Sequence, residues 1–191
     1  MAEFEVYHTT ENRGNEIAIQ SEGGIYADSK NLFLGKGYYY WEGSFDCARE
    51  WGFSRYNGKF VIFKGYLALD MDFLLDLSTN SHNRFLKELY KRFKNQYRGK
   101  KRVGELYVGL FIDFVRELQN DCLKAGQIDE NECFFPFKYS KLVDHSASKK
   151  SEKQGVSASA HHWYWSNPVV IICVYEKNDL ILKDFQVVKS T

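Results

Sequence analysis

Gly35-Lys36-Gly37 runs straight into Tyr38-Tyr39-Tyr40-Trp41, and at this junction the residue types and spacing best suit chemistry. Two glycines around one lysine let the backbone turn tightly and come close to a flat ligand, and the aromatic run that follows reads as a strand. Strand alternation puts Tyr39 on the face opposite Tyr38 and Tyr40. Three consecutive tyrosines cannot share one core face, so at least one looks into a cleft or solvent. Residues 44–51 then read as a helix, with Ser44 as N-cap and Asp46 in the first turn. Upstream, Tyr7-His8-Thr9-Thr10 sets a histidine at the end of an alternating strand. A glycine-bounded aromatic strand feeding a capped helix suggests a ring-stacking pocket with a helical wall.

Together, Tyr7-His8-Thr9-Thr10, Gly35-Lys36-Gly37-Tyr38-Tyr39-Tyr40, Ala48 and Trp51 resemble the ADP-ribosyltransferase superfamily, in its diphtheria-toxin and poly(ADP-ribose) polymerase branch with a His, Tyr, Glu-type triad. The resemblance covers residues 6–51 and keeps the spacing between Tyr39 and Ala48. It implies an α+β domain with a split antiparallel β-sheet core and surrounding helices. NAD would be the co-substrate, bound in the cleft between the half-sheets. Breaking its nicotinamide glycosidic bond passes through a cationic, oxocarbenium-like ribose, so nicotinamide must be fixed, its ribose oriented and positive charge stabilised. The resemblance gives Tyr39 the nicotinamide stack, which a flat electron-rich ring suits in any case because the ligand ring is cationic. It gives His8 the ribose hydroxyls, the Thr9 backbone the carboxamide, and Gly35 and Gly37 the close approach of the loop. Thr9 stands where the branch commonly has Gly. Trp51, one turn past Ala48, is placed to close the second side of the nicotinamide slot.

Three residues compete for the third triad position. Matching Val174-Tyr175 to the branch's Val-Tyr pair puts Ile171 where that family has its catalytic Glu. Members with Ile there transfer single ADP-ribose units or are inactive. Matching instead to bacterial toxins whose acid opens the last strand selects Asp179, with Glu176 as its neighbour. A carboxylate there would hydrogen-bond the ribose 2'-hydroxyl and offset the transition-state charge. Glu176-Lys177-Asn178-Asp179 also has the composition of an ordinary hairpin turn.

The acceptor signal is local. Residues 84–102 hold nine Lys or Arg and one acid, Glu88, interleaved with Phe85, Tyr90, Phe93 and Tyr97. Basic side chains neutralise phosphates and exposed aromatics stack on unpaired bases, so the acceptor reads as RNA or DNA, with Arg98, Lys100, Lys101 and Arg102 as contacts. Phe85, Leu86, Leu89 and Phe93 equally read as a core stripe. His161-His162-Trp163-Tyr164-Trp165 falls where the superfamily often meets its acceptor, which makes Trp163 and Trp165 candidates. Adjacent histidines cannot easily share one ion, and no Cys or acid lies at ligand spacing, so no metal is expected.

Positioning these residues falls to strands over 3–8, 59–70 and 169–175, with Gly65 as a bulge or bend and a further return to the sheet over 73–77. Helices are expected over 12–20, ended by Gly23-Gly24, and twice within the helical segment 78–124. The polar, aperiodic stretch 144–160 reads as a mobile loop of the kind that forms a lid, and a turn at 176–179 as the hairpin into a last strand, 180–188. A length of 191 residues suits a single domain, 1–191. The net charge of +1 gives no global pull toward nucleic acid or membrane, and no apolar run approaches the roughly 18–20 residues that span a bilayer. Four cysteines without close pairing, and no signal-peptide pattern at Met1-Ala2-Glu3-Phe4-Glu5, fit a cytoplasmic protein with free thiols. The expected activity is mono-ADP-ribosylation by an intracellular toxin of the toxin-antitoxin or phage-defence kind, with an antitoxin protein as partner. The alternatives are a protein acceptor, or a catalytically impaired module that only binds NAD or ADP-ribose.

Overall fold

Two ten-residue runs, Ala2–Glu11 (β1) and Phe60–Leu69 (β4), pair antiparallel along their whole length and form the spine of the fold. In this computed structural model residues 1–29, 32–97, 101–102, 105–144 and 169–191 are described. The remaining elements are α1 (Glu16–Glu22), β2 (Tyr26–Ala27), β3 (Gly37–Glu42), α2 (Phe45–Tyr56), β5 (Leu74–Asp76), α3 (Asn80–Phe93), β6 (Lys101–Arg102), β7 (Glu105–Leu106), α4 (Val108–Lys124), β8 (Tyr139–Asp144), β9 (Val169–Val174) and β10 (Ile181–Ser190). The class is α+β: a mixed, largely antiparallel sheet of eight strands with four α-helices among the described residues.

Strand order is β10-β4-β1-β3-β9-β8-β5, with β2 paired to β3 and β6-β7 a separate ribbon. β5 and β8 run parallel, so the sheet is not wholly antiparallel as expected. The expected hairpin at 176–179 is also absent. β9 pairs with β3 and β8 while β10 pairs with β4, so a single 3-10 turn, Lys177–Asp179, carries the chain from one half of the sheet to the other. Gly65 is likewise no bulge in β4, whose ladder with β1 is unbroken. The irregularity lies across from it in β10, between Lys183 and Gln186, where Asp184 takes a φ of 50°. Gly65 leaves room for that kink, since a Cβ there would sit 3.0 Å from the Lys183 carbonyl oxygen.

Alternation sorts the side chains between two faces. Val6, Tyr38, Tyr40, Phe63, Ile172 and Val174 share one core with Ile19 of α1 and Phe185 of β10. On the opposite face Tyr7, Phe60 and Ile62 pack under Ala48 of α2, while Ile171, Cys173 and Tyr175 pack under Leu86, Leu89 and Phe93 of α3 and Phe111, Ile112 and Val115 of α4. Val6, Phe63, Leu67, Ile172 and Val174 expose no surface. Each such side chain contributes about 1.5–3 kcal/mol of burial free energy. Tyr38 and Tyr40 thus belong to one core and Tyr39 to the other.

Ser44 caps α2 by accepting the Cys47 amide at 3.2 Å, and Asn57 in the left-handed region ends the helix. Gly52 lets this helix lie directly on β4, since a Cβ there would run into the Phe60 ring. Gly52→Ala should cost about 1–3 kcal/mol by overpacking. Chemical denaturation checks this, and a midpoint unchanged from the parent protein would contradict the α2–β4 packing.

Candidate functional site

β1 and β3 share two residue pairs, Val6 with Glu42 and Tyr7 with Trp41, and the ladder then stops. Carried onward, the register would set His8 against Tyr40 and Thr9 against Tyr39. The His8 side chain spans the gap instead. Its Nδ1 donates to the Tyr39 carbonyl at 2.9 Å and its Nε2 accepts the Ile25 amide at 3.1 Å. That accepting role assigns the proton to Nδ1 and makes the ring neutral. The Tyr40 and Phe63 rings lie beside it, with centroids at 5.7 and 6.4 Å. Burial holds the His8 pKa below the usual histidine value, although the bond to the Tyr39 carbonyl works the other way. Gly24, at φ +133°, lets the turn after α1 approach, since a Cβ there would stand 3.4 Å from His8 Nε2.

The gap opens into a cleft of about 530 Å³. Thr9 and Thr10 of β1, Tyr39 and Trp41 of β3, Ile171 of β9 and Trp51, Arg55 and Tyr56 of α2 line it. Thr9 Oγ1 donates to the Ala48 carbonyl at 2.9 Å, which fixes α2 to β1. Trp51 stands beside Trp41 at 5.8 Å between centroids, near the point where the strands part. Tyr39 is held by its hydroxyl, which donates to the Gly35 carbonyl at 2.6 Å and accepts the Leu34 amide at 3.0 Å. Burial pushes this phenol far above its ordinary range, so it stays protonated.

The glycine-lysine-glycine loop behind Tyr39 is clamped by α4. The Lys36 amide donates to Asp113 Oδ1 at 2.6 Å, and Arg116 donates to the Lys36 carbonyl at 3.1 Å. Arg116 also reaches Glu176 at 2.7 Å and lies over the Tyr175 ring at 4.2 Å. Burial raises the Asp113 pKa, opposed first by the Lys36 amide and then by Arg116. The glycines are sterically required: a Cβ on Gly37 would strike the Val174 carbonyl, and one on Gly35 would lie 2.7 Å from Asp113 Oδ1.

No family model, curated protein or solved structure matches the chain.

The structure brings His8, Thr9, Tyr39, Trp51 and Ile171 into one cleft, with Gly35 and Gly37 directly behind Tyr39. His8 lines it with both ring nitrogens already engaged inside the fold. Trp51 lines the cleft together with Tyr39 and rests beside Trp41. Glu176 and Asp179 do not line the cleft. They border a separate cavity of about 110 Å³, Glu176 bound to Arg116 and Asp179 paired with Lys138 at 2.8 Å. Among the described residues no Asp or Glu lines the cleft, and Arg55 is its one charged side chain.

Arg98, Lys100, Trp163 and Trp165 lie outside the described residues, as does the 144–160 loop apart from Asp144, which ends β8. Lys101 and Arg102 form β6, paired with Glu105 and Leu106 of β7. Sequence reasoning missed Asp113, Arg116 and Arg55. A signal for the first two was present: a carboxylate and a guanidinium one turn apart on a helix otherwise rich in Phe, Leu, Ile and Val.

Two outcomes are expected. An unfolded chain protonates its histidines near pH 6.5, whereas buried His8 resists, so the unfolded state binds more protons as pH falls. Stability contributed by His8 is therefore complete above about pH 6.5 and is lost as pH drops toward the depressed folded value. Protonated Nε2 could no longer accept the Ile25 amide. Denaturation series from pH 7.5 to 5 should show this loss, smaller in His8→Asn; equal pH slopes would contradict it. Asp113→Ala should cost about 1.5–3 kcal/mol and speed hydrogen exchange at the Lys36 amide. Unchanged exchange there would show that the loop does not depend on the clamp.

Proposed function

We propose that the chain binds NAD in this cleft and transfers a single ADP-ribose to a macromolecular acceptor, with nucleic acid favoured over protein. The observation that carries the reading is the aromatic cleft at the parting of β1 and β3, where Tyr39, Trp41 and Trp51 meet Thr9, Thr10 and Ile171. On this reading the fold is an ADP-ribosyltransferase-type split sheet, joined across its split by two backbone pairs and by His8.

The reaction asks little acid-base work of the cleft. The bond from the ribose anomeric carbon to the pyridinium nitrogen breaks with its electron pair going to nitrogen, so nicotinamide departs neutral and needs no proton. The acceptor nucleophile bonds the anomeric carbon and releases its proton to water. What remains is to enclose a cationic sugar and offer it π faces, which Tyr39, Trp41 and Trp51 can do. Ile171 cannot activate a ribose hydroxyl as a further acceptor, which fits transfer that stops at one unit.

The acceptor preference is supported by α3. Its buried positions are Leu86, Leu89 and Phe93, and Tyr97 beyond the helix is buried as well, so these aromatics belong to the core and do not stack on bases. Arg84, Lys87, Lys91, Arg92 and Lys94 face outward, against one acid, Glu88, which pairs with Lys91 at 2.8 Å. Such a face favours phosphate backbones without reading sequence.

One observation favours a second reading: with no carboxylate lining the cleft among the described residues and Glu176 and Asp179 engaged elsewhere, the chain would bind NAD or ADP-ribose without cleaving it. Purified protein given NAD labelled in the adenylate half, with cell lysate separated into RNA, DNA and protein, decides between them. Transfer predicts label in a nucleic-acid fraction, at least 100-fold weaker in Tyr39→Ala, because that change removes the stacking wall and the anchor of the loop. Label confined to protein would sink the nucleic-acid preference, and binding without nicotinamide release would sink transfer. Full activity of Tyr39→Ala would sink the site.

A further inference from the structure

The cleft has a charge asymmetry that its aromatic walls do not explain. Among the described residues Arg55 is the one ionised side chain lining it, and no carboxylate lines it in compensation. Arg55 is exposed and makes no ion pair among the described residues, although Arg49 on the same helix is paired with Asp46 at 2.8 Å and Arg13 takes Glu11 at 2.7 Å. Its place in the last turn of α2 suits the helix dipole, which accounts for a cation there but not for its facing the cleft.

Position gives the charge a meaning. Trp51 and Arg55 are four residues apart on α2 and so share one helix face, about 5–6 Å apart at their Cβ atoms. Trp51 rests on Trp41, whose neighbour across the ladder is Tyr7 at the closed end of the gap. Arg55 therefore lies one helical turn farther along the same wall, next to Tyr56, which lines the cleft with Thr10, beyond the last residue of β1 paired with β3. Aromatic faces at the closed end and a free guanidinium one turn outward match a ligand that carries a flat ring, then a sugar, then phosphate.

We propose that Arg55 is a phosphate-binding residue of the cleft, its planar fork holding the diphosphate bridge of a dinucleotide whose ring lies against Trp41 and Trp51. This rests on the NAD reading for the identity of the dinucleotide, while the anion subsite follows from the charge and position of Arg55 alone.

Titration of the full chain with NAD, ADP-ribose and nicotinamide riboside, read by quenching of tryptophan fluorescence, tests it. Arg55→Ala should weaken NAD and ADP-ribose roughly tenfold to a hundredfold. It should leave nicotinamide riboside, which has no phosphate, unchanged. Arg55→Lys should restore part of the loss by keeping the charge without the fork. Because Arg55 is exposed, its variants should keep the parent thermal midpoint, so lost binding is not lost folding. Parent affinity of Arg55→Ala for NAD and ADP-ribose would overturn the proposal, as would an equal loss for nicotinamide riboside. Parent protein that binds ADP-ribose through Arg55 yet ignores NAD would end the NAD reading and uphold the subsite. Parent protein that binds none of the three overturns both.

Discussion

A sheet that stops pairing in its own middle must satisfy the backbone groups left behind, and here one imidazole shares that task with the short strand β2. Past Tyr7 and Trp41, His8 of β1 takes the Tyr39 carbonyl of β3 with one nitrogen and the Ile25 amide, in the turn before β2, with the other. A buried carbonyl or amide without a partner costs about 1–3 kcal/mol. A neutral, doubly engaged histidine within the opening, together with β2 paired to Gly37 and Tyr38, therefore helps to make it tolerable. Everything that gives the cleft its shape follows: α2 lies over one lip through Thr9 and Ala48, and α4 holds the loop behind the other.

That second lip is held with unusual redundancy. The Tyr39 hydroxyl grips the loop from the sheet side through Gly35 and Leu34, and Asp113 and Arg116 grip it from the helix side through the amide and carbonyl of Lys36. Such fixing leaves the Tyr39 ring little orientational freedom to lose on binding a ligand in the cleft. Glu176 belongs to this scaffold. Its carboxylate pairs with Arg116, which in turn lies over Tyr175.

Much of this was legible in the residues, and the failures have physical causes. The Tyr39 face, the Ser44 cap and the core stripe of α3 follow from periodicity and capping, which are local properties. β8 was not anticipated, because Tyr139–Asp144 is a short run whose strand character comes from its neighbours β9 and β5. The supposed hairpin at 176–179 failed for the same reason: turn composition fixes a reversal of the chain, not which strands become partners. Gly65 was read as a bulge when it makes room for one in β10. In the site, the motif residues that line the cleft were singled out through the family resemblance, while Asp113, Arg116 and Arg55 were missed because helix-borne side chains join a cleft only through the packing of distant elements.

The crossing from β9 to β10 also sets an order of events during synthesis. β4 is flanked by β1, made early, and by β10, which leaves the ribosome only after every other strand of the sheet. Until then one edge of the apolar run Phe60–Leu69 has no neighbour. A nascent chain paused in that interval presents an open strand edge of the kind that recruits other chains. The kink at Asp184 and the charges of Lys183, Asp184 and Lys189 on the strand that finally covers it then blunt the new border, so the hazard closes behind the last element rather than moving outward with it.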